Sequence, residues 1–267
     1  MDFKINRHRV SILYWFLCRP TLYKQLVREL YSFIKRENHP SLDRSEDAHN
    51  WCENRAITER EVLSRICKDH EFQDIQIRNS LILEKATKII ESKRFDWGGQ
   101  GNISLNYNLA NALKAISILE TGVAYGWSSL SFLLSLNERK TGNLTSIDMP
   151  FFGINNEQDI GCVIPSQLKD RWNLIRLADK DGIPKVFSKI HSIDLCHYDS
   201  DKSYNGKMWA LPRLWKHLRP GGILVCDDAS DNLAFKDFSE TVNAEPMVIN
   251  TFDTKAFKHV GLLIKPE

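Results

Sequence analysis

Several features that would declare a protein class outright are missing from this chain of 267 residues. Long apolar runs are absent: the longest near the N-terminus, Ser11 to Cys18, is far short of the ~20 residues that span a bilayer, so no transmembrane segment is expected. Cysteine is sparse. The six thiols at 18, 52, 67, 162, 196 and 226 have neither zinc-knuckle spacing nor the density of a disulfide scaffold. Without a signal-peptide layout, reduced thiols in a cytoplasmic protein are the expectation. An excess of one charge is lacking too: 36 Lys and Arg meet 34 Asp and Glu, which gives no global case for nucleic-acid binding. The dinucleotide signature G-x-G-x-x-G is also absent.

What is present is an ordinary globular composition, 42% hydrophobic and 26% charged, which excludes a disordered polymer and a coiled coil. The near-neutral total hides a division. Residues 1–95 carry eighteen Lys/Arg against fourteen Asp/Glu, net +4, and leave the remainder at −2. Within 21–36, Leu22, Leu26, Leu30 and Phe33 recur at helical spacing among basic residues. Such a helix is suited to packing on its own domain, on a second copy in a homo-oligomer, or weakly on an anionic membrane surface. Asn38 to Ser41 reads as a breaker, and a helical pattern then resumes and ends before Arg94. This predicts a helical N-terminal extension over 1–95.

From residue 96 onward the texture changes. Short apolar runs at 116–120, 144–148, 173–177, 192–197, 222–227 and 259–264 alternate with helix-sized stretches, which predicts an α/β, doubly wound, mostly parallel sheet. Met247 to Asn250 and His259 to Ile264 are too close for a crossover helix and should pair as an antiparallel hairpin at the sheet edge.

Strand 116–120 runs into Thr121-Gly122-Val-Ala-Tyr-Gly126 and then a helical run, which places backbone N–H groups and a helix N-terminus at a ligand. Glu120, two residues before the first glycine, would repel a pyrophosphate and attract an ammonium, as in S-adenosylmethionine. Asp148 ends the next strand and is placed to accept ribose hydroxyls. Further acids gather after the fourth strand (Asp199, Asp201) and the fifth (Asp227, Asp228). Carboxylates crowded at one sheet edge call for a proton, a partner or a hard cation such as Mg²⁺.

The runs Leu119 to Ser128, Ser146-Ile-Asp148-Met-Pro and Leu218 to Asp228 resemble those of class I S-adenosylmethionine-dependent methyltransferases, over roughly residues 97–265. That resemblance implies a seven-stranded Rossmann-like sheet with the last strand antiparallel, forming a cofactor-binding domain over 96–267. It implies that Glu120, Gly122, Ala124, Tyr125, Gly126 and Ser128 surround the amino-acid end of the cofactor, Asp148 the ribose, and Asp179 the adenine. Asp199-Ser-Asp-Lys202 resembles the segment of metal-dependent O-methyltransferases, which implies Asp199, Asp227 and Asp228 as metal ligands and Lys202 as the group that deprotonates or orients a hydroxyl. A surface ion pair is the competing use of Lys202, and helix capping that of Asp227 and Asp228. His197 is a second candidate base.

Three readings follow: a methyltransferase acting on a hydroxyl of a small molecule or sugar, a non-catalytic scaffold of the same fold, and a nucleotide-dependent oxidoreductase. The loops 97–102 and 149–170 flank the expected crevice and are placed to select the acceptor.

Overall fold

The computed structural model describes residues 7–35, 44–152, 154, 157–253 and 256–267; the expected breaker at Asn38 to Ser41 lies outside them. Among the described residues, six α-helices precede residue 95: α1 (Arg7–Leu17), α2 (Tyr23–Lys35), α3 (Ser45–Glu53), α4 (Glu59–Ile66), α5 (Ile75–Arg78) and α6 (Ser80–Glu91). Between α3 and α4 lies a two-residue strand, β1 (Ala56–Ile57). Then come α7 (Ile103–Ala112), β2 (Ser117–Thr121), α8 (Trp127–Glu138), β3 (Asn143–Ile147), β4 (Trp172–Ile175), α9 (Asp179–Phe187), β5 (Ile193–Tyr198), α10 (Tyr204–His217), β6 (Leu218–Cys226), α11 (Ala234–Thr241), β7 (Met247–Asp253) and β8 (Ala256–Ile264).

Among the described residues these strands form one eight-stranded sheet, in the order β1-β7-β8-β6-β5-β2-β3-β4. The seven expected strands are β2 to β8. The hairpin is there, with Val248 opposite Gly261, and β8 is antiparallel to β6. The eighth strand, β1, runs parallel to β7 and comes from the N-terminal segment. Two residues between helices carry no alternation, so periodicity does not reveal it.

Successive strand residues point to opposite faces, and both faces are covered. Ile118, Leu195, Ile223 and Val225 join the core beneath α4 to α8, whereas Leu119, Cys196, Leu224 and Cys226 join the core beneath α3, α9, α10 and α11. The first core takes in Val62, Leu63, Ile75, Leu83 and Ala86, so the helical N-terminal residues share it with the sheet. Helices α1 and α2 dock separately, through Trp15, Phe16 and Leu22 against Met149 and Leu177. Arg28 of α2 clamps Asp181 with two bonds of 2.6 and 2.7 Å. Leu22 is therefore buried, while Val27, Leu30 and Tyr31 stay exposed. No described helix is long and apolar enough to cross a membrane.

Candidate active site at the strand tips

The glycine turn is fixed by its neighbours. Gly122 N–H donates to Ile147 O at 2.9 Å, and Asp199 N–H donates to Thr121 O at 2.8 Å, so the tips of β2, β3 and β5 are stitched together. Gly122 has φ +82°, and a Cβ there would lie 2.0 Å from the Asp199 carbonyl oxygen. Gly126, with φ +95°, begins α8 and lies against Gly161 of the loop before β4. That loop is tied to the turn by Gly161 N–H to Ala124 O and Val163 N–H to Tyr125 O.

Above the turn lies a cavity of about 130 Å³. Val123 to Ser128 wall one side, the 97–102 loop another, and His197, Asp199, Lys202, Asp227 and Lys258 close it. Trp97 stacks on Tyr125 and on Phe151, with centroids 4.8 and 4.9 Å apart, so the glycine-rich loop and the loop after β3 share an aromatic stack over the turn. Three side chains of the wall hold buried polar atoms without a hydrogen-bond partner: the Asn106 Oδ1 acceptor, the Trp127 Nε1 donor and His197 Nδ1.

The predicted site residues divide. Of the turn residues singled out, Ala124, Tyr125, Gly126 and Ser128 line the cavity, with Gly122 packed behind them; Val123, which was not, lines it too. Glu120 does not line it. On β2 it shares the face of Ile118, so it points under α8 and is fully buried, with Ser128, Ser129 and Ser146 all donating to its carboxylate. Burial pushes its carboxyl above the ordinary range, against the pull of His197 and the three hydroxyls. Glu120 is thus placed as an internal anchor of the turn and not on the cavity wall, where a cofactor ammonium was expected to meet it. The same alternation sets His197 beside Glu120 in the β2–β5 register, with Nδ1 3.9 Å from Glu120 Oε1.

Asp148 is buried as well. Its Oδ2 accepts from the N–H groups of Val123 (2.7 Å) and Ala124 (3.2 Å), and Arg176 Nη1 donates to Oδ1 at 2.8 Å. Asp148 thus braces the turn and is shared with Arg176, a residue the sequence reading missed. Asp179 opens α9 and accepts from the Ser200 hydroxyl; burial, with Asp201 and Asp148 nearby, pushes its carboxyl up to about 6.

The metal expectation meets a different arrangement. Lys202 Nζ donates to Asp228 Oδ2, and Lys258 Nζ stands 3.2 Å from Oδ1 of the same carboxylate. The buried Lys207 Nζ donates to the Asp228 carbonyl. Burial opposes ionisation of Asp228, but Lys202 and Lys258 outweigh it and hold the carboxyl below its ordinary range. No three His, Cys, Asp or Glu side chains among the described residues are arranged to hold a metal ion. The expected triad Asp199, Asp227 and Asp228 does not fit as a metal centre, because ammonium groups already saturate its third member. Lys202 is poorly suited to act as a base: burial would lower its pKa, but Asp199, Asp228 and Asp227 hold it above its ordinary value. Of the competing uses, Lys202 makes the ion pair, and Asp228 caps no helix, since α11 starts at Ala234. Asp199 and Asp227, both on the cavity wall, are pushed up by burial and by a neighbouring carboxylate.

A family model described as a methyltransferase domain matches residues 119–229, from β2 to just past β6. This stretch resembles a methyltransferase domain. No curated protein matches the chain. Solved structures give the methyltransferase fold around that domain. An O-methyltransferase from Bacillus cereus in complex with SAH is 16% identical, with TM-score 0.53, over 80% of this chain and all of that one. A putative O-methyltransferase from Klebsiella pneumoniae is 16% identical, with TM-score 0.52, over 81% and 100%. The O-methyltransferase TomG from Streptomyces achromogenes, involved in tomaymycin synthesis and in complex with SAM, is 17% identical, with TM-score 0.52, over 81% and 99%. The matched span holds the glycine turn, Asp148, Asp199, Lys202 and Asp228; the 97–102 loop and Lys258 lie outside it.

Proposed function

We propose that the chain is an S-adenosylmethionine-dependent methyltransferase that methylates a hydroxyl of a small molecule or sugar. The observation that carries this reading is the cavity over the glycine turn, with its unpartnered acceptor on Asn106, its unpartnered donor on Trp127 and its two carboxylates, Asp199 and Asp227. An amino-acid tail offers an ammonium to the acceptor and a carboxylate to the donor. A sulfonium cation also relieves the crowding of the two acids, whereas the pyrophosphate of a dinucleotide would aggravate it. When bound, S-adenosylmethionine supplies an electrophilic methyl group on sulfur.

The protein's share is positioning. The turn from Val123 to Ser128 and the start of α8 hold the amino-acid end, and Trp97, stacked on Tyr125, excludes water from above. His197 is the group we assign to accept the hydroxyl proton. Its ring lines the cavity, with Nδ1 turned toward Glu120 and its face braced edge-on by Phe132. Lys202 stays an ammonium and orients the oxygen. The test is release of S-adenosylhomocysteine in the presence of hydroxyl-bearing acceptors: His197→Asn should lower kcat by about a hundredfold and leave cofactor affinity intact. An unchanged kcat removes the proton role from His197.

A further inference from the structure

The cofactor cavity shares one side chain, Lys202, with a second and larger space on its other side. This is a cleft of about 730 Å³, open to solvent, between α3 and the loop that follows β6. Its composition is one-sided. Glu46 and His49 of α3 face Ser230, Asp231 and Asn232 across it, and every lining residue is polar.

We infer that this cleft receives the methyl acceptor and that the acceptor is a hydroxyl-rich, non-aromatic molecule of carbohydrate type. The inference rests on the methyltransferase reading above. Its first support is position: Lys202 is common to both spaces, so a molecule in the cleft lies against the residue that borders the cofactor. The second is chemistry. Two carboxylates, an imidazole, an amide, hydroxyls and an ammonium offer donors and acceptors at many angles. That matches a ring bearing several hydroxyls and gives a flat aromatic acceptor nothing apolar to lie on.

The third support is rigidity. Helix α3 is fixed to the sheet: Ala48 and Cys52 are buried, and Glu53 accepts from Asn250 Nδ2 at 3.2 Å and lies 2.9 Å from His259 Nε2. Across the cleft, Asn232 Nδ2 donates to Lys202 O at 2.8 Å and Asn232 Oδ1 accepts from Ala234 N–H, which sets the loop and Lys202 in one frame. A preformed polar wall is what selectivity among hydroxylated molecules requires. It also gives the N-terminal segment a role in acceptor choice, although it lies outside the matched methyltransferase domain.

The experiment uses the full chain with saturating S-adenosylmethionine. Release of S-adenosylhomocysteine is followed with UDP-glucose, methyl α-glucoside and myo-inositol as one set of probes and catechol as the other, and cofactor affinity is measured separately by calorimetry. The inference expects turnover with a member of the first set. It also expects Glu46→Ala and His49→Ala each to raise KM for that probe about tenfold, with kcat and cofactor affinity held. Turnover of catechol alone, no turnover of any hydroxyl-rich probe by a chain that binds the cofactor, or a KM unmoved in both variants overturns it. Failure to bind S-adenosylmethionine at all would instead sink the underlying methyltransferase reading.

Discussion

Lys202, which lines the cavity, forms an ion pair with the buried Asp228, and Lys258 approaches the other oxygen of the same carboxylate. The charge of Asp228, the expected third ligand of a divalent ion, is thereby met by the chain itself. Turnover should therefore be unchanged in excess EDTA and unstimulated by Mg²⁺. A tenfold loss in EDTA that Mg²⁺ restores would contradict this.

Gly122 and Gly98 make a matched pair for testing the turn. Both have positive φ, but a Cβ at Gly122 meets the Asp199 carbonyl whereas one at Gly98 meets nothing within 4 Å. Gly98→Ala should cost about 1 kcal/mol of backbone strain, and Gly122→Ala about 3 kcal/mol or more because overpacking adds to it. Thermal denaturation ranks the two; equal losses would show that the turn is not held against Asp199.

Asp194, at the far end of β5, accepts from the N–H groups of Ile116 and Ser117, both at 2.8 Å, and from Arg219 Nε at 2.6 Å. Its removal leaves two backbone donors and a guanidinium without their acceptor, so Asp194→Ala should cost about 2 kcal/mol. Burial raises its pKa, but the backbone donors and Arg219 outweigh that and hold it below the ordinary value of 3.8. The stabilisation is thus present above pH 3.8 and lost as pH falls through the lower folded value. Urea denaturation of both proteins should show the gap at neutral pH and its closure in acid.

Asp179 behaves in the opposite sense. Its carboxyl is raised from 3.8 to about 6, first by burial, so the folded state holds the proton more tightly than the unfolded one. Stability should fall as pH rises from about 4 to about 6, and Asp179→Asn should flatten that slope. Melting temperatures across this range decide it; parallel curves for the two proteins would show that the carboxyl is not protonated more readily in the fold.

The sheet was readable because its strands are short apolar runs between helix-sized stretches, and the hairpin because too few residues separate β7 from β8. Strand β1 was not, since Ala56 and Ile57 gain their strand geometry only from β7. The cavity was readable at its turn and less so at its acids. Glu120 was expected to face a ligand, yet the alternation that puts Ile118 under α8 puts Glu120 there too, and the hydroxyls at 128, 129 and 146 were the signal of a buried carboxylate. Arg176 and Lys258 were missed because their partners lie 28 and 30 residues away in sequence, across strand neighbours whose register periodicity does not reveal. The cleft beneath α3 was invisible for the same reason: nothing in residues 45–53 announces a contact with residues near 230.

Calorimetric titration of the purified chain with S-adenosylmethionine, and separately with NAD, tests the central claim most directly. The account predicts saturable one-site binding of S-adenosylmethionine that is weakened in Trp127→Phe, which lacks the unpartnered Nε1 donor, and no binding of NAD. Heat from NAD with none from S-adenosylmethionine would contradict it.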